Sequence, residues 1–199
     1  MLQSHKPFAF IPSDVHTHRQ NDLSANAIIS LPCDILRQPE NFHPVEGLHY
    51  SVGIHPWWTS EADIDDLWQN MLRLLVEPSV VAIGECGLDK LRGKELAVQE
   101  LWFKRHILQS ESMGIPLIIH CVRAYDRLLQ IYKQVQPTQP WIVHGFRGGP
   151  QLAEQLLAAG MYLSFGRRFN KESYALTPPD RRFVESDDEP FGPQESWYE

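Results

Sequence analysis

Eight short apolar runs, most of them followed by a helical stretch, constrain this chain more than any other feature. Residues 80–83, 116–119 and 141–143 are continuous apolar runs rich in β-branched side chains, which is typical of strands buried on both faces. Repeated strand–helix units indicate a parallel sheet, and eight strands predict an α/β fold, the TIM-type (β/α)8 barrel. With 199 residues, the chain can bury the core of one domain, which we predict over residues 1–199.

The helical pattern around this predicted barrel is incomplete. Periodic apolar positions predict four helices, at residues 61–77, 95–113, 124–135 and 150–159. Ser60 is the expected N-cap of the first of them. Residues 33–47 show no helical periodicity, and no pattern after Pro190 indicates a closing helix. The first strand is expected to begin at residues 9–11. We therefore expect a barrel with at least one helix missing or shortened.

Metal-binding residue types stand at the carboxyl ends of six of the predicted strands: His16, His18, His55, Glu85, His120, His144 and Asp187. In a parallel barrel these ends form one face, where barrel enzymes place their active sites. His16 and His18 are two residues apart on a strand, so both imidazoles point to the same side. Without His55, four histidines and two carboxylates still exceed the needs of one tetrahedral ion. Two ions about 3.5–4 Å apart that share a carboxylate fit better.

Other polar and aromatic groups are predicted near the same face. Arginines follow three of the strand ends: Arg123, Arg147, Arg167 and Arg168. Guanidinium groups suit phosphate oxygens, so Arg123 and Arg147 are candidate substrate-binding residues. His55 is expected to line the pocket or to support the ligands. Trp57 and Trp58 could stack on a base, although packing is the simpler role.

The composition limits the kinds of partner. The net charge is -7, and an acidic chain does not bind polyanions over its whole surface, so a nucleic-acid substrate must be held locally. The chain has three cysteines, a small and odd number that does not suit a disulfide framework. This favours a location in a reducing cytoplasm. No apolar run is long enough to span a membrane, and no protein partner is inferred.

Six short motifs occur in order along the chain: Asp14-Val-His16-Thr-His18, Gly53-Ile-His55-Pro56, Ile83-Gly84-Glu85-Cys-Gly87-Leu88-Asp89, Ile118-Ile-His120-Cys-Val-Arg123-Ala124, His144-Gly-Phe146-Arg-Gly148 and Glu185-Ser-Asp187. Together they resemble the TatD family of metal-dependent deoxyribonucleases, within the amidohydrolase-like barrels. Each motif alone is common, but the ordered set covers nearly the whole chain and is specific.

The resemblance implies a metal centre and a reaction. It implies that the ligands are His16, His18, Glu85, His120, His144 and Asp187, with Glu85 as the bridge. It also implies hydrolysis of DNA phosphodiester bonds, often from a 3′ end, by metal-activated water, with Glu85 and Asp187 as catalytic residues. The ions are expected to be Zn, Mn, Mg, Ni or Co. If the last strand stays regular, Asp187 faces the site as a general base and Asp188 faces away.

The chain departs from the family pattern in ways that keep other functions open. The segment between His18 and His55 is short, His106 stands where the family has a glutamine, and Pro190 comes one residue late. One alternative is a metal-dependent hydrolase of a small phosphoester, amide or lactone. Another is a non-catalytic metal-binding relic, against which the complete donor set argues.

Overall fold

A computed structural model describes residues 7–21 and 23–198 of the chain. It contains eight parallel strands: β1 Asp14–Thr17, β2 Ala27–Ser30, β3 His49–Val52, β4 Val80–Asp89, β5 Leu117–Val122, β6 Trp141–Val143, β7 Tyr162–Phe165 and β8 Arg182–Val184. Each strand pairs with the next along the chain, in the order β1 to β8. The predicted α/β barrel of parallel strands is therefore confirmed.

The barrel is closed between its first and last strands by a short contact. Thr17 of β1 and Asp187, just beyond β8, form an isolated parallel bridge. The Asp187 N–H donates to His16 O at 3.0 Å, and the His18 N–H donates to Asp187 O at 3.1 Å. Below this bridge, the buried Asp14 carboxylate accepts hydrogen bonds from Ser186 N–H (3.0 Å) and Ser186 Oγ (2.6 Å).

Six α-helices accompany the strands: α1 Cys33–Arg37, α2 Ile64–Leu74, α3 Leu96–Met113, α4 Tyr125–Val135, α5 Pro150–Ala159 and α6 Lys171–Leu176. The helix after β2 is reduced to the five residues of α1 and a 3-10 turn at Pro39–Asn41. The expectation that at least one helix is missing or shortened is therefore confirmed. The expectation of no helix in residues 33–47 was wrong, because α1 is too short to show periodicity. Sequence patterns also missed α6, which Asn170 caps by accepting from Ser173 N–H at 2.9 Å.

Two predicted element starts were also wrong. Ala9 and Phe10 lie in a bend, Ile11 has no regular structure, and β1 begins only at Asp14. Ser60 ends a 3-10 helix at Pro56–Ser60 instead of capping α2, whose N-cap position is Asp63. In contrast, Gly114 ends α3 in the left-handed conformation, with a φ of 70°, as expected for a C-cap glycine.

The apolar core has two parts. The larger part lies between strands and helices and includes Trp141, Phe103 and Phe146, all fully buried. The smaller part includes Val15, Ile28, Ala82, Ile118, Ile142 and Tyr162, from six different strands, and fills the barrel interior. Side chains two residues apart on a strand point to the same side. His120 and His144 follow Ile118 and Ile142 by two residues, so they lie on the same interior face, next to this smaller core. Among the described helices, none is both long and apolar enough to cross a membrane.

Candidate metal centre

The Glu85 carboxylate lies at the centre of a group of five histidines. Its Oε2 atom is 3.3 Å from His16 Nε2 and 3.5 Å from His18 Nε2. Its Oε1 atom is 2.7 Å from His144 Nε2, 2.8 Å from His120 Nδ1 and 3.2 Å from His55 Nε2. The two carboxylate oxygens thus face two separate groups of imidazoles, one from β1 and one from the ends of β3, β5 and β6.

Asp187 completes the cluster on the β1 side. Its Oδ1 atom lies 3.8 Å from both His16 Nε2 and His18 Nε2. The structure therefore brings together all six residues that the resemblance implies as ligands. His55, which is not one of these six, lies in the same cluster. Glu85 and His16 are buried, whereas 37% of the His18 side chain is exposed, so the cluster opens to solvent on the His18 side.

The spacing and chemistry of these donors fit divalent ions. Two donors that each lie about 2.1 Å from one tetrahedral ion are separated by about 3.4 Å, close to the distances around Glu85. His16 is fully buried, and neither of its ring nitrogens forms a hydrogen bond with a described residue, since its Nε2 only approaches Glu85 Oε2 to 3.3 Å. A buried imidazole without a partner is costly unless a ligand satisfies it. Four overlapping triads could each hold an ion: His16–His18–Glu85, His16–His144–Asp187, His55–Glu85–His120 and His18–Asp187–Asp188.

Charges in the cluster are strongly coupled. Burial alone would raise the pKa of Glu85, but the imidazoles of His144 and His16 outweigh it, so the pKa lies well below its ordinary value. Burial alone would lower the pKa of His144, but the carboxylates of Glu85 and Glu185 outweigh it, so that pKa lies well above its ordinary value. These two shifts favour the carboxylate form of Glu85 beside the protonated form of His144. A divalent cation there competes with the proton on His144.

His55 differs from the other histidines because of its hydrogen bonds. Its Nδ1 atom accepts the Trp57 N–H at 3.1 Å, so the proton of the neutral ring is on Nε2. Burial lowers the pKa of His55, which favours this neutral form. The Nε2–H group points at Glu85 Oε1 and has no lone pair for a metal in this tautomer. His55 is thus a hydrogen-bond donor at the edge of the cluster.

Two cavities open at the carboxyl ends of the strands. The first has a volume of about 320 Å³, and its floor contains Glu85, His55, His120 and His144. An apolar wall covers one side of this cavity, formed by Leu31, Pro32, Cys33, Trp57 and Trp58. The second cavity, of about 310 Å³, is lined by arginines that include Arg147. Arg123 lines neither of these two cavities.

Comparison with known proteins identifies the family. A family model described as TatD related DNase matches residues 14–196. The chain belongs to this family. The resemblance seen in the motifs is therefore confirmed.

Several curated TatD-family proteins are similar to this chain. A 3'-5' ssDNA/RNA exonuclease TatD from Erwinia billingiae is 33% identical over 147 residues, which are 69% of this chain and 56% of that protein. The uncharacterized metal-dependent hydrolase YjjV from Escherichia coli is 29% identical over 136 residues, or 66% of this chain and 51% of that protein. The chain thus spans little more than half the length of the curated relatives it matches.

Solved TatD-family structures share the fold. The E. coli YjjV crystal structure superposes with a TM-score of 0.65 at 24% identity and covers 81% of this chain and 67% of its own. A TatD family hydrolase from Entamoeba histolytica gives a TM-score of 0.63 at 22% identity, covering 80% of this chain and 59% of its own. These likenesses support the barrel architecture.

In this TatD-family site, Asp89 connects the cluster of donor side chains to the apolar wall. Asp89 Oδ2 lies 3.2 Å from His120 Nε2 and accepts the Trp57 Nε1–H at 2.6 Å. The Arg92 guanidinium lies 4.4 Å from the centre of the Trp57 ring. Because Asp89 holds Nε2 of His120, the Nδ1 atom of that ring is the one directed at Glu85.

Gln99 of α3 fixes Asp89, the last residue of β4, and the loop that follows it, and no sequence motif pointed to this glutamine. Its Oε1 atom accepts the Asp89 N–H at 2.7 Å, and its Nε2 atom donates to the carbonyls of Asp89, Arg92 and Lys94 at 2.7–2.9 Å. Gln99 is buried, so these bonds replace water that the loop backbone would otherwise need. A lone glutamine in a predicted helix carries no signal of such a role.

Glu185 supports His144 from behind. It is fully buried, its Oε1 atom accepts the Gly145 N–H at 2.7 Å and lies 3.4 Å from His144 Nδ1. A carboxylate on the far side of a histidine orients the ring and keeps its other nitrogen directed at the metal. The Glu185-Ser-Asp187 motif contained this residue, but its role depends on contact with β6, which the sequence does not show.

The expected alternation between Asp187 and Asp188 was wrong. The last strand β8 ends at Val184, and Asp187 has a φ of 54°, in the left-handed region. Strand alternation therefore does not extend to these residues. Asp187 faces His16 and His18, but Asp188 is exposed and also lines both cavities instead of facing away.

Proposed function

We propose that this chain is a divalent-metal-dependent hydrolase, and specifically a deoxyribonuclease that cleaves DNA phosphodiester bonds. The observation that carries the proposal is the position of Glu85, whose two oxygens face separate groups of histidines. Membership of the TatD related DNase family supports it. So do relatives named as 3'-5' ssDNA/RNA exonucleases, which make 3′ ends of DNA the first substrate to test.

In this proposal the donors on the two sides of Glu85 would hold two ions. His16, His18 and Asp187 would supply one side, and His120 and His144 the other. Imidazole-rich donors suit Zn, Mn, Ni or Co, whereas many nucleases use Mg. When bound, such ions supply a nucleophilic water at neutral pH and neutralise charge on the phosphoryl oxygens.

The side chains of the site have distinct roles in this proposal. Asp187 is a ligand and accepts the proton of the attacking water, because its carboxylate is at the open side of the cluster. The Nε2–H of His55 holds Glu85 Oε1 in the tautomer set by Trp57 N–H, and the ring lines the cavity that would receive the substrate. Arg147 contributes positive charge from the second cavity, whereas Arg123 has no part in these contacts.

A second candidate is the hydrolysis of a small phosphoester, amide or lactone. The apolar wall of the first cavity favours it, because a volume of about 320 Å³ lies in the range that binds small molecules. The net charge of -7 also favours a substrate smaller than a polyanion.

One panel of substrates separates these functions. Purified protein is depleted of metal with a chelator, reconstituted with Zn, Mn, Mg, Ni or Co, and its metal content is measured by elemental analysis. It is then assayed on 3′-labelled single-stranded DNA, on RNA, and on small phosphate, carboxylate and lactone esters. Metal-restored release of nucleotides from DNA supports the deoxyribonuclease. Turnover of small esters alone supports the second candidate, and bound metal without any turnover indicates a relic.

The cellular setting and the domain boundaries are also proposals. Cys33, Cys86 and Cys121 are all free thiols, which supports a reducing cytoplasm. We propose that residues 1–199 act as one domain. Its outermost residues, 1–6 and 199, lie outside the described part.

A further inference from the structure

The second cavity lies beside the metal centre, at the ends of β6, β7 and β8. Three arginines line it, Arg147 after β6 and Arg167 and Arg168 after β7. Asp187 and Asp188 line both this cavity and the first, so the two open next to each other. Loops after the seventh and eighth strands are where TIM barrels often bind phosphate groups.

Two of these arginines are available to a ligand. Arg167 Nη1 lies 3.3 Å from Glu189 Oε2, so this guanidinium is already paired. In contrast, no residue within 7–21 or 23–198 forms an ion pair or hydrogen bond with Arg147 or Arg168. Both are exposed, and an unpaired guanidinium offers parallel donors that match two phosphate oxygens.

The floor of the cavity determines which anion fits. Asp187 and the buried Glu185 contribute negative charge there, and the exposed Asp188 and the Glu189 that pairs with Arg167 add two further carboxylates to the lining. A compact anion at the floor would meet these carboxylates, whereas a phosphodiester at the rim meets the guanidinium groups. The rim continues to the metal cluster through Asp187, so a phosphate held there would be near the one that is cleaved.

We propose that Arg147 and Arg168 form a subsite for the phosphate next to the scissile phosphodiester, on its 5′ side. The inference rests on the proposed nuclease function and adds where the remaining strand is held. The terminal nucleoside then occupies the first cavity, against the apolar wall.

The test uses two substrates that differ only in the flanking phosphate. Dithymidine monophosphate has one phosphodiester, and its 5′-phosphorylated form adds the flanking phosphate. For metal-loaded protein, Arg147→Ala and Arg168→Ala should each lower kcat/KM on the phosphorylated substrate about five- to tenfold. Arg168→Ala should change kcat/KM on the unphosphorylated one by no more than about twofold, and Arg147→Ala should lose less there than on the phosphorylated one. Arg73→Ala is the matched control, because Arg73 is an exposed arginine on α2 and should change neither value.

A binding measurement keeps the result independent of turnover. Metal-free protein is titrated with dithymidine monophosphate that carries a fluorescent label on a base, with and without a 5′-phosphate, and melting temperatures confirm that each variant is folded. The wild type should bind the phosphorylated form more tightly, and both arginine variants should lose that preference. Equal losses of kcat/KM on both dinucleotides, or equal affinities of the wild type for both forms, would overturn the subsite. If the wild type cleaves neither the dinucleotides nor longer single-stranded DNA, the nuclease proposal fails instead, and the titration still decides the subsite.

Discussion

His106 makes the stability of this protein depend on pH in a predictable way. It is fully buried in α3, its Nε2 atom accepts the Ile54 N–H at 2.8 Å, and its Nδ1 atom lies 2.7 Å from Trp102 O. The Nδ1–H therefore donates to that carbonyl, and both nitrogens of the neutral ring are satisfied. Burial lowers the pKa of His106 from 6.5 to about 4, because the charged ring loses its hydration. A proton on Nε2 would also displace the Ile54 bond.

The sign and size of the effect follow from proton binding. Below about pH 6.5 the unfolded chain protonates this imidazole and the folded chain does not, so stability falls on acidification and levels off below about pH 4. With pKa values of 6.5 unfolded and about 4 folded, the loss between about pH 7.5 and pH 5 is about 2 kcal/mol.

His106→Gln isolates this contribution. A glutamine can accept from Ile54 N–H and donate to Trp102 O without titrating. Urea unfolding of metal-free wild type and variant is measured at about pH 7.5 and pH 5. Other groups titrate equally in both proteins, so the wild type should lose about 2 kcal/mol more than the variant. The same loss in both proteins would refute the assigned protonation state of His106.

Three further predictions concern the site. Glu85→Gln should lower kcat about 100-fold or more with a smaller change in KM, and elemental analysis should show less metal per chain; a raised KM at normal kcat would contradict the bridging role. Asp187→Asn should nearly abolish hydrolysis at saturating metal while Asp188→Asn keeps most of it, and the reverse ranking in a steady-state assay would move the ligand to Asp188. Gln99→Ala should destabilise the fold by about 3 kcal/mol in urea unfolding, because several buried backbone groups lose their partner; a change below about 0.5 kcal/mol would show that water replaces the amide.

The barrel could be predicted from the sequence because its signals are local. Continuous apolar runs indicated the strands. The residue at each strand end could be identified even where the predicted strand length was wrong by a few residues. His120 and His144 illustrate this, since each follows an apolar strand segment directly. Short elements such as α1 and α6 were missed because five or six residues do not complete two helical turns.

The supporting contacts of the site could not be predicted, because they depend on how strand ends, loops and helices are placed in three dimensions. The tautomer of His55 depends on a backbone N–H in the following 3-10 helix, and the orientation of His120 depends on Asp89. Gln99 reaches back ten residues to Asp89. Each contact requires the mutual position of a loop and a helix, which periodicity does not encode.

Closure of the barrel and assembly of the metal centre depend on the same contacts. The backbone of Asp187 bonds to His16 O and His18 N–H, and these bonds join the two ends of the sheet. The side chain of Asp187 faces His16 and His18, the same two histidines to which its backbone is hydrogen-bonded. Ser186, one residue earlier, holds the buried Asp14 at the other end of the contact. Because the left-handed turn at Asp187 ends strand alternation, the ligand position is set by pairing with β1 and not by the regularity of β8. A shift of the last strand by one residue would therefore open the barrel and remove a ligand together.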